Sequence, residues 1–108
     1  MDREMEFSRI TAVWLDNASP QNEDKFIILT ALENNKIIEG RWFGEHKQAQ
    51  NTYPFILDKA ASEFNFGSFD TEIWHTNLGE KKIQPNELFT VWIDDKEYIY
   101  RIETTYKY

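Results

Sequence analysis

The sequence predicts one α+β domain spanning residues 1–108, built as a twisted antiparallel sheet of about five to six strands with a single helix packed on one face. The same elements also allow the sheet to roll partly into a barrel. Three observations predict this class. Aromatic residues reach 16% of the chain, and aromatics favour strands and bury large areas. Two stretches, 25–43 and 88–106, alternate around short polar pairs as hairpins do. Between them, residues 53–65 carry apolar side chains at helical spacing. Short turns between strands argue against a parallel, doubly wound sheet.

The elements follow in chain order. Residues 7–16, rich in β-branched and aromatic types, read as a strand ending in a polar loop at 17–24. The alternative for that loop is a helix start at Ser19-Pro20 running into 24–33. Pairing favours a strand at 25–33. If Asn34-Asn35 is a two-residue turn, Leu32 faces Ile37, Ala31 faces Ile38, Leu29 faces Gly40 and Ile27 faces Trp42. The core face would then hold Ile27, Leu29, Ala31, Ile38 and Trp42, with Phe26, Ile28, Thr30 and Phe43 opposite.

Residues 44–51 are polar and loop-like. Pro54 sits where a helix tolerates proline, in its first turn, and Ile56, Leu57, Ala60, Ala61 and Phe64 recur behind it, with Gly67 as the stop. Residues 71–76 read as a strand and 80–87 as a charged connection. A second hairpin, turning at Asp95-Lys96, puts Phe89, Val91, Ile93, Tyr98, Tyr100 and Ile102 on the core face. Its other face carries Leu88, Thr90, Trp92, Ile99, Arg101 and Glu103.

Composition narrows the function. The 19 acidic residues against 12 basic ones give a formal charge of −7, which opposes direct binding to nucleic acid or an anionic membrane and suits a basic protein partner. Cysteine is absent, so thiolate chemistry and disulfides are out and a reducing, cytoplasmic setting is expected. The acidic N-terminus is unlike a signal peptide, and no apolar run approaches the roughly 20 residues that span a bilayer.

Motifs exclude more than they suggest. Four scattered glycines cannot form a phosphate-cradling loop. The two histidines, His46 and His75, have no metal-ligand spacing around them, so neither a metal nor another cofactor is expected. His46 falls in the polar stretch and reads as exposed. His75, in a strand beside Trp74 and close to Glu72, is the better acid–base or binding residue. No nucleophile elbow is present, and no catalytic residue is assigned.

The expected function is a non-catalytic protein-binding module. An acidic surface with aromatic anchors suits an inhibitor that neutralises a basic enzyme, and immunity proteins against nuclease toxins share that charge and size. Trp92, Ile99 and Phe43 would supply an apolar strip, flanked by Asp94, Asp95 and Glu97. The alternative is a small-molecule-binding domain or minimal enzyme using a pocket in the curved sheet, with His75 and Glu72 in it. The last strand, ending at Tyr108, could also pair edge to edge with a second copy.

Overall fold

The computed structural model describes residues 5–67 and 73–108, and nearly all of their regular structure is strand. In chain order the strands are β1 (Glu6–Asp16), β2 (Ser19–Glu33), β3 (Lys36–Ile37), β4 (Trp42–Gln48), β5 (Asn51–Asp58), β6 (Glu63–Asn65), β7 (Ile73–Thr76), β8 (Leu88–Ile93) and β9 (Lys96–Lys107). A 3-10 turn at Leu78–Glu80 interrupts them. Neighbours run β1-β9-β8-β7-β6-β5-β4-β2, and β1 pairs again with β2, so eight antiparallel strands close a barrel. The short β3 hangs on β2 outside the ring.

This corrects the α+β expectation: among the described residues there is no α-helix to pack on the sheet. Residues 53–65 are instead β5, a turn and β6. The stripe of Ile56, Leu57, Ala60, Ala61 and Phe64 fits a helix, but Ile56 and Ala60 are not buried, whereas Phe55, outside the stripe, is buried with Leu57, Ala61 and Phe64. Phe55 and Leu57 are spaced two apart, as in a strand, and β4 and β6 give β5 backbone partners on both sides. The helical reading fails because the small residues serve a turn. Lys59, Ala60 and Ala61 hold φ of 53°, 56° and 59°, a left-handed run that costs roughly 1–2 kcal/mol per residue. Local bonds hold it, with Ser62 N–H donating to the Asp58 carbonyl at 3.1 Å and Ser62 Oγ to the Lys59 carbonyl at 2.6 Å.

Tight turns set the barrel. Asn17-Ala18, Asn34-Asn35 and Asp94-Asp95 each place two successive residues at positive φ, the geometry whose twist matches paired strands. The loop expected at 17–24 is therefore only the first of these turns, and β2 starts at Ser19. The second hairpin turns one residue earlier than expected, and its buried side chains Phe89, Val91, Tyr100 and Ile102 lie on the predicted core face.

The first hairpin departs further. Leu32 does pair with Ile37, and Ile38 N–H reaches the Ala31 carbonyl. Residues 38–41 then loop out, so Leu29 faces Phe43 rather than Gly40, and Ile27 faces Glu45 rather than Trp42. The inward residues of β2 are Phe26, Ile28, Thr30 and Leu32, and Leu29 is exposed, which inverts the predicted faces. Both faces of this strand are apolar, so alternation alone could not orient it. The polar stretch 44–51 is also strand, occupying most of β4 and the start of β5.

The ends of the barrel differ. At the base, Leu78 and Ile83 are buried under the 77–87 connection, with Ile83 N–H on the Asn35 carbonyl and Gly79 N–H on the Ala61 carbonyl. The opposite end, bounded by the turns at 17–18, 49–50 and 94–95, forms a mouth. β9 pairs with β8 through Arg101 and with β1 from Ile99 to Lys107, so an open edge is confined to its last residues. No helix among the described residues is long and apolar enough to cross a membrane.

Gly44 lets β4 lie against β2 and under the Phe55 ring, since a Cβ there would stand 2.3 Å from the Ile27 carbonyl oxygen and 2.7 Å from Phe55 Cζ. Gly44→Ala should lower unfolding stability by about 2 kcal/mol through forced strand displacement. Urea denaturation checks this, and an unchanged midpoint would mean that β4 can back away without loss.

Candidate functional site

The mouth gathers aromatic side chains around three polar ones. Inward positions of β4 are Trp42, Gly44, His46 and Gln48, while Glu45 and Lys47 alternate outward. His46 is therefore not an exposed loop residue. It is 3% exposed, with its ring stacked on Phe26 at 4.6 Å between centroids and set edge-on to Trp74 at 5.2 Å. Phe26 in turn stacks on Phe64 at 4.5 Å, which joins the mouth to the barrel core.

Asp24 completes the polar group because of a break in strand pairing. Val13 pairs with Lys25 but Trp14 pairs with Gln21, so Asn22, Glu23 and Asp24 bulge away from β1. Asp24 lies opposite Gln48, and Ala49 N–H bonds the Glu23 carbonyl at 2.8 Å. The bulge thus aims the Asp24 carboxylate at the barrel axis. Its Oδ1 lies 2.8 Å from His46 Nε2 and accepts the Tyr100 hydroxyl at 2.7 Å, linking β2, β4 and β9. Burial above all, then the Asp24 charge and hydrogen bond, push the Tyr100 phenol far above its usual 10.0. Tyr100 therefore stays a neutral donor to the Asp24 oxygen that His46 Nε2 also meets.

Beside this group opens a cleft of about 650 Å³, lined by His46, Gln48, Thr52, Tyr53, Pro54, Phe66 and Trp74. Phe66 and Trp74 are in ring contact at 4.6 Å, and Tyr53 lies across from His46 on β5. The size is within the range of small-molecule sites, roughly 300–1,000 Å³. Among the described residues no cluster of His, Asp and Glu could hold a metal ion.

The residues picked from sequence fall elsewhere. Trp92, Asp94, Asp95, Glu97 and Ile99 do share the β8–β9 hairpin, with Trp92 Nε1 donating to Glu97 Oε1 at 3.2 Å and Asp94 and Asp95 forming the exposed turn. Phe43 lies on β4, three strands from β9 and four from β8 in a ring of eight, so it cannot extend that strip. Trp92 and Ile99 are only partly exposed. His75 is on the outside of β7, opposite Trp92 and 3.9 Å from Glu63, and takes no part in the cleft. Glu72 lies outside the described residues.

The sequence reading missed Asp24, His46, Tyr53, Phe66, Trp74 and Tyr100 as a group. One local signal was available: in 43–48 the charged Glu45 and Lys47 alternate with uncharged Gly44 and His46, a strand pattern rather than a loop. Nothing local in the sequence brings Asp24 and Tyr100, 76 positions apart, onto one oxygen. No protein-family model, curated protein or solved structure matches the chain.

The Tyr100 hydroxyl gives a signed pH prediction. A phenol whose folded value is raised supports the fold fully below the unfolded value, near pH 10, and loses that support as pH rises above it. Tyr100→Phe should cost about 1–3 kcal/mol at pH 8 by leaving Asp24 short of a donor. From pH 10 upward the deficit should shrink by roughly 1.4 kcal/mol per pH unit, because only the wild type carries this proton linkage. Paired urea titrations at pH 8 and pH 11 test it. A deficit independent of pH would show that Tyr100 ionises in the fold as it does in the unfolded chain.

Proposed function

We propose that this chain is a small-molecule-binding barrel whose ligand enters the mouth cleft and lies against Trp74, Phe66 and Tyr53. One observation carries the reading: a 97% buried histidine, fixed by a carboxylate that a buried tyrosine also holds, lines an aromatic cleft of ligand size. Desolvating such groups is costly, and an apolar plug like Leu78 and Ile83 at the base would close the barrel at less cost. Polar groups converging on an apolar cavity are what recognition of a small ligand requires. The protein thereby fits the pocket alternative of the sequence reading, with His46 replacing His75.

A fragment library read by thermal shift and amide chemical shifts tests this. Hits should perturb Phe66, Trp74 and Tyr53, and Trp74→Ala should weaken them about tenfold, the loss expected for one stacked aromatic contact. Absence of saturable hits at the mouth would overturn the reading.

A second reading, the protein-binding module, draws support from the outer surface. Tyr106, Arg9, Leu29, Phe43 and Ile56 are successive cross-strand partners on five strands, all facing outward, and Phe7 is exposed beside them. With a net charge of −7, the partner that suits this row is a basic protein. Leu29→Ser with Phe43→Ser should release a salt-sensitive, stoichiometric partner recovered with the tagged protein. Release by Trp92→Ala, Asp94→Ala and Asp95→Ala instead would put the interface on the opposite side of the barrel.

A further inference from the structure

We propose that the mouth cleft selects neutral, planar aromatic ligands bearing an O–H or N–H donor, and that the acceptor for that donor is Nδ1 of His46. The inference rests on the small-molecule reading above and adds the chemistry of the ligand.

The imidazole is constrained on most sides. Its Nε2 is held by Asp24 Oδ1 at 2.8 Å, one face lies on Phe26, and Trp74 stands edge-on to it. Asp24 acts on Tyr100 as a charged carboxylate whose Oδ1 accepts the phenol hydroxyl, and a carboxylate has only acceptors to offer Nε2. In the tautomer that carries its hydrogen on Nε2 towards Asp24, Nδ1 is a lone-pair acceptor. Among the described residues the hydrogen bonds of this ring end at Asp24, yet the ring lines the cleft. What it offers the cleft is an acceptor without a protein donor.

The rest of the lining fits the same ligand. Phe66 and Trp74 offer ring surfaces in mutual contact, and Tyr53 borders the opposite side. A carboxylate ligand is disfavoured on two counts. It would bring negative charge towards Asp24, and it would present an acceptor to an acceptor. The overall charge of −7 works in the same direction. The site thus disfavours anions and favours neutral donors, since an acceptor in the cleft discriminates against ligands that bring no donor to it.

Naphthalene, 2-naphthol and 2-naphthoate share one ring system and differ only in this chemistry. By tryptophan fluorescence and calorimetry, 2-naphthol should bind about tenfold tighter than naphthalene, the gain of one hydrogen bond. The naphthoate should be the weakest of the three. His46→Phe should bring the naphthol preference down to threefold or less while naphthalene still binds. His46→Gln, which keeps a donor for Asp24 and adds an acceptor, guards against reading a folding defect as lost recognition. Spectra of the 15N-histidine-labelled protein without ligand should report His46 protonated at Nε2 and bare at Nδ1. Equal binding of naphthol and naphthalene, a tighter naphthoate, or a proton on Nδ1 would overturn the inference and leave the binding site standing. If none of the three binds at the mouth, the small-molecule reading itself fails.

Discussion

The Asp24 carboxylate is the constraint on which the mouth depends. A closed barrel of eight strands has an interior that water reaches only from an unplugged end, so a charged group turned inward must be met by donors from the barrel itself. Asp24 finds them on β4 and β9, in His46 and Tyr100, one on each side of its own strand in the ring. That arrangement ties three things together: the bulge that frees Asp24 from β1, the placement of the His46 ring and the neutral state of Tyr100. Loss of either donor strands a carboxylate in low dielectric, which is the expensive way to break such a group.

Packing around this group is aromatic for a geometric reason. Eight strands enclose a narrow interior, and flat rings fill it by stacking. Phe26 is the centre of the set, with His46 on one face, Phe64 on another contact at 4.5 Å, and Tyr100 edge-on at 4.7 Å. Because the His46 imidazole stacks in that column like another ring, it is positioned by core packing as well as by Asp24. The orientation of a cleft-lining group is in this way tied to the stability of the fold.

What the sequence disclosed and what it hid divide along the same line. Local chemistry was legible: the strand at 7–16, the Asn34-Asn35 turn and the buried face of the β8–β9 hairpin follow from alternation and turn residues. The helix at 53–65 was misread because Ala60 and Ala61 complete an apolar helical stripe, whereas they lie at φ of 56° and 59° in a left-handed turn. The chain also passes close there: a Cβ on Gly79 would run into the Ala60 carbonyl oxygen, a contact between segments that no window of sequence contains. The same holds for the site. His46 looked exposed because its neighbours Glu45, Lys47 and Gln48 are polar, and only closure of the barrel turns every second one of them inward.

The contrast between the two ends settles which part of the barrel is free to do chemistry. The base is sealed by apolar side chains, Leu78 and Ile83, on a connection whose backbone is bonded to the turns at Asn35 and Ala61. Opening it would expose core and break those bonds at once, so the base serves stability. At the mouth the rim carries Tyr53 and Gln48, and the polar group lies beneath them, the hydrogen bonds of the His46 ring ending at Asp24 among the described residues. Stability alone does not explain that end, because a Leu or Phe in place of His46 would extend the Phe26 column and remove the need for Asp24 and the Tyr100 hydroxyl. A polar cluster that the fold could do without, placed at the end that no apolar side chain among the described residues seals, is what the proposed receptor reading accounts for.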